Sequence, residues 1–318
     1  MVSPIRNHEP RRFIMKSSHV LFFFFCLFFT IIGCKPASSP SVKPPRIGIV
    51  FGGGGAKGAA EVGVLKALEE VGVKADFVVG TSMGAVIGAL YAAGYTAEEI
   101  EEMLLYEEWM WLYSKEKMFH LSDERSLLGL VSGPYFREQM DKVLSDKGAH
   151  LFRHIQTPFV CVTTDVSHNE FKEVDLSEGV VAEAVRISMA FPVPGNAPIN
   201  MDGMALADGG IVNNLPVNVA RDSGKVDIVI AIDLQQSDND FDLGIPTLGL
   251  LTKWFNTRPD IPRRLKNIDD ADIYIHPNLQ GFSIKDYEHQ RLSQMIDSGY
   301  KAAMEHFDEL NKIAKDKK

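Results

Sequence analysis

Apolar residues along this chain fall into two kinds of cluster. One kind is a short run that ends in glycines; the other is a longer stretch with apolar positions every third or fourth residue. The run Arg46 to Phe51 (RIGIVF) and the run Ala75 to Val79 predict buried strands. After the first, Val62, Leu65, Leu68 and Val71 keep helical spacing; after the second comes an apolar, Ala-rich helical stretch. Further short apolar stretches lie at Pro158 to Val162, Met204 to Ala207 and Val226 to Asp233. Asp286 to Lys315 places Leu292, Met295, Ile296, Ala302, Phe307 and Leu310 on one face of a C-terminal amphipathic helix. This alternation predicts an α/β domain built on adjacent parallel strands. Tyr95 to Leu151 breaks the rhythm with an acidic, aromatic stretch (Tyr106, Trp109, Trp111, Tyr113, Phe119, Tyr135, Phe136) that suits either a cap over a groove or plain packing on the sheet. Leu243 to Phe255 is a second apolar segment, read as a buried helix in preference to an interfacial flap.

The first 45 residues follow a different pattern. Arg11, Arg12 and Lys16 precede an apolar run of about 13 residues, Val20 to Ile32, well short of the ~20 that a membrane-spanning helix needs. That length fits the core of a signal peptide. The run closes on Ile31-Ile32-Gly33-Cys34, which resembles a bacterial lipobox, with Cys34 the lipidated residue. Pro36 to Pro45 then reads as an extended Ser/Pro tether. The expected organisation is a signal peptide over 1–33, a lipidated cysteine and tether over 34–45, and a folded domain over 46–312, held at a bacterial envelope membrane.

Net charge is −9, and residues 1–33 contribute +3 of it, so the processed chain of about 285 residues carries −12. Such a balance disfavours nucleic acid and offers no polybasic route to anionic lipid. Of the three cysteines, Cys26 and Cys34 lie in the leader, and Cys161 sits in an apolar run as a small hydrophobe. No Cys/His spacing suits zinc.

Chemistry concentrates where strands meet glycines. Gly80-Thr81-Ser82-Met83-Gly84 lies between a predicted strand and a predicted helix, the sequence form of a nucleophile elbow. The helix N-terminus behind Ser82 suits a developing oxyanion. Upstream, Gly52-Gly53-Gly54-Gly55-Ala56-Lys57-Gly58 follows the first strand. A P-loop fails there because Gly58 occupies the place of the metal-binding hydroxyl. Gly53, Gly55 and Gly58 satisfy a dinucleotide G-x-G-x-x-G, but the only nearby acid, Asp76, opens the next strand instead of ending it. An oxyanion hole of Gly53, Gly54 and Gly55 N–H groups accounts for both loops together.

A serine hydroxyl needs a base. Asp208-Gly209-Gly210 is by itself a common turn, yet it supplies a carboxylate in a third glycine-flanked setting. Among the histidines, His276 alone fits the Ser…Asp…His order of α/β-hydrolases. Taken in order, Gly53 to Gly58, Gly80 to Gly84 and Asp208 to Gly210 resemble the three signature blocks of patatin-like phospholipases. Ile187 to Pro192 (ISMAFP), Leu206 to Pro216 (LADGGIVNNLP) and Val226 to Asp233 also resemble bacterial members. That resemblance implies a three-layer α/β/α fold with a mainly parallel sheet. It implies a Ser–Asp dyad with Ser82 as nucleophile and Asp208 as proton acceptor, and oxyanion donors from Gly53 to Gly55. It implies hydrolysis of a lipid ester with no metal or organic cofactor. Lys57 and Glu61 depart from residues frequent in the family, arginine and histidine. The alternatives are a lipid-binding envelope protein without turnover and a dinucleotide-binding protein.

Overall fold

Runs in which every residue is buried become central strands, because both faces of the sheet are covered. The computed structural model describes residues 43–106, 133–192, 197–237, 254 and 257–317. Within them the strands are β1 (Ile47–Phe51), β2 (Phe77–Thr81), β3 (Phe159–Asp165), β4 (Lys172–Leu176), β5 (Ile199–Met201), β6 (Met204–Asp208), β7 (Ile228–Ile232) and β8 (Ile273–Ile275). All residues of β1, β2 and β3 are buried. The helices are α1 (Ala59–Val71), α2 (Met83–Ala92), α3 (Ala97–Leu105), α4 (Pro134–Asp146), α5 (Val181–Ser188), α6 (Val217–Asp222), α7 (Asp260–Asp269), α8 (His289–Met304) and α9 (Phe307–Asp316).

β3, β2, β1, β7 and β8 run parallel in that order. The topology then departs from simple βα alternation. β4 pairs antiparallel with β3, and the antiparallel hairpin β5–β6 joins the sheet through β6. Thr163 is paired with both Val174 of β4 and Asp208 of β6, so these two strands occupy opposite edges of β3. Val162 is paired with both Thr81 of β2 and Asp175 of β4. β2 and β6 therefore share one edge of β3, arriving from opposite directions, and their ends meet where Thr81 faces Val162 and Asp208 faces Thr163.

Side chains alternate across the strands into two cores. Ile47, Ile49 and Phe51 of β1 join Val78, Cys161, Ile230 and Ile232 under α1, α2, α5 and α8. On the other face Val50, Val79, Val160, Val162 and Val229 pack with Val217, Val219 and Ala220 of α6, and Ile268 of α7 lies against them. The result is the expected three-layer α/β/α arrangement around a mainly parallel sheet. α8 sits unusually close to α1: a Cβ on Gly63 would lie 1.9 Å from Ile296 O, and one on Gly299 1.8 Å from Ala60 O. The two backbones touch through paired glycines.

Several boundaries differ from the sequence reading. The second strand is Phe77–Thr81 and not Ala75 to Val79, because Ala75 and Asp76 form the approach, with Asp76 N donating to Ile47 O at 2.7 Å. The C-terminal amphipathic stretch is two helices: the chain turns at Glu305 and His306, and α9 buries Leu310, Ile313 and Ala314. Of the aromatic stretch, Phe136 is fully buried in the core, Tyr135 is partly buried and Tyr106 is exposed. Trp109, Trp111, Tyr113 and Phe119, the leader with Cys34 and the tether up to residue 42, and Leu243 to Phe255 apart from Trp254 lie outside the described residues. Among the described residues no helix is long and apolar enough to cross a membrane.

The glycine contact gives a sharp expectation. Helix propensity alone would make Gly299→Ala stabilising by about 1 kcal/mol. Overpacking against Ala60 O reverses the sign, and we expect Gly299→Ala to destabilise by about 1–3 kcal/mol, read from the urea midpoint at constant slope.

Candidate active site

Ser82 follows β2 directly and precedes α2, with φ 53° and ψ −125°, a conformation that costs a non-glycine residue on the order of 1–3 kcal/mol. The flanking glycines allow this turn through close approach. A Cβ on Gly80 would sit 2.4 Å from Gly84 O, and one on Gly84 2.4 Å from Phe51 O. The start of α2 is thereby pressed onto the ends of β1 and β2, and Ser82 is left half-buried at the carboxyl edge of the sheet.

Asp208 reaches the same point from β6. Its Oδ2 accepts from Ser82 Oγ at 2.7 Å, and its Oδ1 accepts from Gly210 N at 2.8 Å. Its own backbone is fixed on both sides: N donates to Ala190 O at 3.0 Å, and O accepts from Thr164 Oγ1 at 2.9 Å. Burial raises the carboxyl pKa from 3.8 to about 7, opposed only by the hydrogen bonds from Gly210 and Ser82. The two residues expected to form the dyad are thus in direct contact.

The glycine-rich loop passes against the serine, since a Cβ on Gly53 would approach Ser82 Cβ to 3.1 Å. Its donors are not equivalent. Gly53 N is already bonded to Asn214 O at 3.1 Å, which corrects its expected place among the oxyanion donors. Gly54 N and Gly55 N make no such bond, while their neighbour Ala56 N donates to Ile284 O at 2.9 Å. Lys57 and Glu61 are both buried. Neither Glu61 carboxyl oxygen has a partner in hydrogen-bonding geometry. Burial pushes that group well above the usual carboxylate range, favouring the neutral acid, and the Gly52 backbone opposes the rise only in part.

The rival groups lie elsewhere. His276 is exposed, stacked on Tyr274, with Nε2 2.9 Å from Gln235 O and 3.1 Å from Gln236 Nε2. These partners follow β7 and leave the ring without a bond to either dyad member. Asp76 accepts from Ile47 N at 2.7 Å and pairs with Lys317, at the opposite edge of the sheet from the glycine loop, so it cannot serve a ribose there. Among the described residues no three His, Cys, Asp or Glu side chains group as a metal site.

Sequence reasoning passed over the residues that hold this arrangement. Ser82 N donates to Ser188 Oγ at 2.8 Å, and Ser82 Oγ lies 3.9 Å from Met189 Sδ. With the Asp208 N bond to Ala190 O, three consecutive residues touch both members of the pair. Asn214 grips the glycine loop twice, its O accepting from Gly53 N and its Nδ2 donating to Gly53 O at 3.0 Å. Both stretches fall in the segments ISMAFP and LADGGIVNNLP, whose resemblance was visible while their contacts were not. Phe191, Ile211, Val212, Trp254 and Ile284 form a separate apolar cluster: Phe191, Ile211 and Val212 lie shortly after Met189 and Asp208, Ile284 touches the glycine loop, and Trp254 Nε1 donates to Ile211 O at 3.0 Å.

Known proteins are similar to this chain in sequence. Over 195 residues the chain is 36% identical to patatin-like phospholipase domain-containing protein 6 of Mus musculus, covering 60% of this chain but only 14% of that protein. It is 29% identical over 296 residues to neuropathy target esterase sws of Drosophila melanogaster, covering 85% of this chain and 20% of that one. A crystal structure of VipD from Legionella pneumophila aligns with a TM-score of 0.47 and 17% identity, covering 84% of this chain and 67% of that chain. The family model described as patatin-like phospholipase matches residues 49–221, more than half of the 318 residues, and the chain belongs to that family.

Proposed function

We propose that the protein hydrolyses carboxylic esters of lipids through an acyl-enzyme on Ser82, with Asp208 as the only base. The observation that carries this reading is the 2.7 Å contact between Ser82 Oγ and a buried carboxylate whose pKa is raised to about 7. An ordinary aspartate would hold a proton too weakly to assist a serine near neutral pH; burial corrects this mismatch. Because Gly210 N occupies Oδ1, Oδ2 is the oxygen that accepts the hydroxyl proton. Ser82 Oγ then attacks the ester carbonyl carbon, and the oxyanion is met by the N–H groups of Gly54 and Gly55, with the N–H of Met83 as a further donor. The tetrahedral adduct collapses as Asp208 gives its proton to the departing alcohol. Water next attacks the acyl carbonyl while Asp208 takes its proton, and the free acid leaves with Ser82 restored.

The names of the similar proteins, a phospholipase domain protein and an esterase, support an ester bond as the target. At the N-terminus we propose that Cys34 is lipidated and holds the domain at an envelope membrane through the 36–45 tether, where its substrates lie.

If this reading is right, Asp208→Asn loses about 100-fold or more of ester turnover, whereas His276→Ala leaves it nearly unchanged. An inactive, folded His276→Ala enzyme would point to a triad. Labelling by a fluorophosphonate, abolished in Ser82→Ala, separates turnover from simple lipid binding; an unlabelled wild type overturns the hydrolase.

The base also sets the pH dependence. kcat/KM is expected to rise with pH through about 7 as Asp208 ionises in the free enzyme. Its folded pKa lies above the unfolded value of 3.8, so the native state holds the extra proton between those limits. Stability from this group is complete below about pH 3.8 and is lost as pH rises through about 7. Asp208→Asn should accordingly melt higher than wild type at pH 8, with the gap shrinking as the pH is lowered below about 7.

For the anchor, mass spectrometry of the membrane fraction should find a blocked, diacylated Cys34 as the mature N-terminus, and Cys34→Ser should not incorporate labelled palmitate. A free N-terminus beyond residue 34 contradicts lipidation and leaves the catalytic reading intact.

A further inference from the structure

Ser188 is fully buried at the end of α5 and makes two hydrogen bonds whose direction is unambiguous. Val162 O, a carbonyl on β3, can only accept, so Ser188 Oγ donates its single proton there, at 2.7 Å. The bond to Ser82 N, at 2.8 Å, must then run the other way, with the Ser82 amide as donor and the Ser188 oxygen as acceptor. The hydroxyl is thus a bridge from the edge of the sheet to the backbone of the residue at the elbow. Ser82 is one of four non-glycine residues at positive φ among those described, and nothing in its own side chain caps the helix it begins. As the first amide at the start of α2 it has no partner within the helix, and the Ser188 hydroxyl supplies one.

Resting on the reading of Ser82 as nucleophile, we propose that Ser188 is a positioning residue for catalysis. It holds the Ser82 backbone in its strained conformation, so that Oγ stays on Asp208 Oδ2. It also occupies the Ser82 amide, which makes the oxyanion the task of Gly54, Gly55 and Met83 without the nucleophile's own N–H. The adjoining residues serve the same registration. Ala190 O holds Asp208 N, so one short stretch of chain ties the nucleophile and the base to a common support at the end of α5. Thr81 on the other side of the link is anchored separately, its Oγ1 donating to Asn213 O at 3.0 Å. The strand end is therefore fixed without Ser188, and the Ser188 bond acts on the elbow itself.

The test compares Ser188→Ala and Ser188→Cys with wild type in ester turnover, fluorophosphonate labelling rate and melting temperature. Removing the acceptor, or replacing it with a weaker sulfur one, is expected to lower kcat and the labelling rate by about 10- to 100-fold, with KM changed less than about threefold. The kinetic midpoint near pH 7 should stay in place, because Asp208 keeps its own partners. A merely structural serine would lower the melting temperature and leave kcat per folded molecule unchanged; a folded variant of either kind within about threefold of wild-type kcat overturns the proposal. Native hydrogen exchange of wild type gives an answer that needs no variant. The Ser82 amide should be strongly protected, and exchange at the rate of an unbonded loop amide overturns the bridge. A wild type that neither turns over esters nor takes the label refutes the hydrolase reading itself, whereas protected Ser82 with wild-type rates in the variants refutes only the role of Ser188.

Discussion

The junction of β2 and β6 on one edge of β3 is the constraint from which the site follows. Two strands that approach head-on must leave a gap between their ends, and each ends in a residue with a reactive side chain or directly before one. Thr81 faces Val162 and Asp208 faces Thr163, so the next residue of β2, Ser82, is delivered against Asp208 by register alone. A shift of either strand by one residue would turn its end to the opposite face of the sheet and break the 2.7 Å contact. The antiparallel hairpin β5–β6 is thus as much a part of the chemistry as the glycine loops, although it carries no reactive group except at its last residue.

Burial decides what the junction can do. In water a carboxylate is too weak a base for a serine hydroxyl, and many hydrolases interpose a histidine. Here Asp208 is sealed between β3, Ala190 and Gly210, its hydrogen bonds do not offset the loss of solvent, and its pKa rises to about 7. The histidine that chain order offered, His276, is engaged by the backbone after β7. In the proposed reaction, desolvation performs the tuning that a second titratable group performs elsewhere. Glu61 carries the same physics further: a carboxyl whose oxygens lack hydrogen-bond partners, buried in the helix that follows the glycine loop and driven towards its neutral form.

How much of this could be read in the chain depends on the range of the interaction. The strand, glycine and helix order around Ser82 is local, and the glycine-flanked serine was legible from its neighbours. The fully apolar strands and the α/β layering were legible for the same reason. The meeting of Asp208 with Ser82 was legible only through the motif, since nothing local ties an Asp-Gly-Gly turn to a serine 126 residues away. The antiparallel insertion of β6 was not, because its partner Thr163 lies 45 residues away and pairing over such distances leaves no periodic trace. Ser188 and Asn214 were missed for a related reason: their bonds to Ser82 and Gly53 span 106 and 161 residues. Gly53 shows the converse error. Its composition suited an oxyanion donor, but its N–H is taken by a carbonyl that no local pattern places beside it.

The features on which the proposed reaction relies each work against folding, and the structure offsets them close by. Ser82 is held at positive φ, Asp208 ionises in a dry setting, and the glycines of both loops give up chain entropy. Opposing these is a polar network on the far side of the same loop. Asn267 Nδ2 donates to Asn213 Oδ1 at 3.0 Å and to Leu215 O at 2.7 Å, and Asn213 Nδ2 donates to Glu173, which in turn pairs with Arg263 at 2.7 Å. Asn213 O then accepts from Thr81, the residue before Ser82. Both the strand that delivers Ser82 and the loop that follows Asp208 are therefore tied into one satisfied network, made of β4, α7 and the segment after Asp208. Such a network is costly when half-paired and rigid when complete, which is the property a strained elbow requires of its surroundings. The unpaired Oδ1 of Asn214, facing Gly210 and Gly53, marks the boundary where that satisfied scaffold gives way to the reacting side of the site.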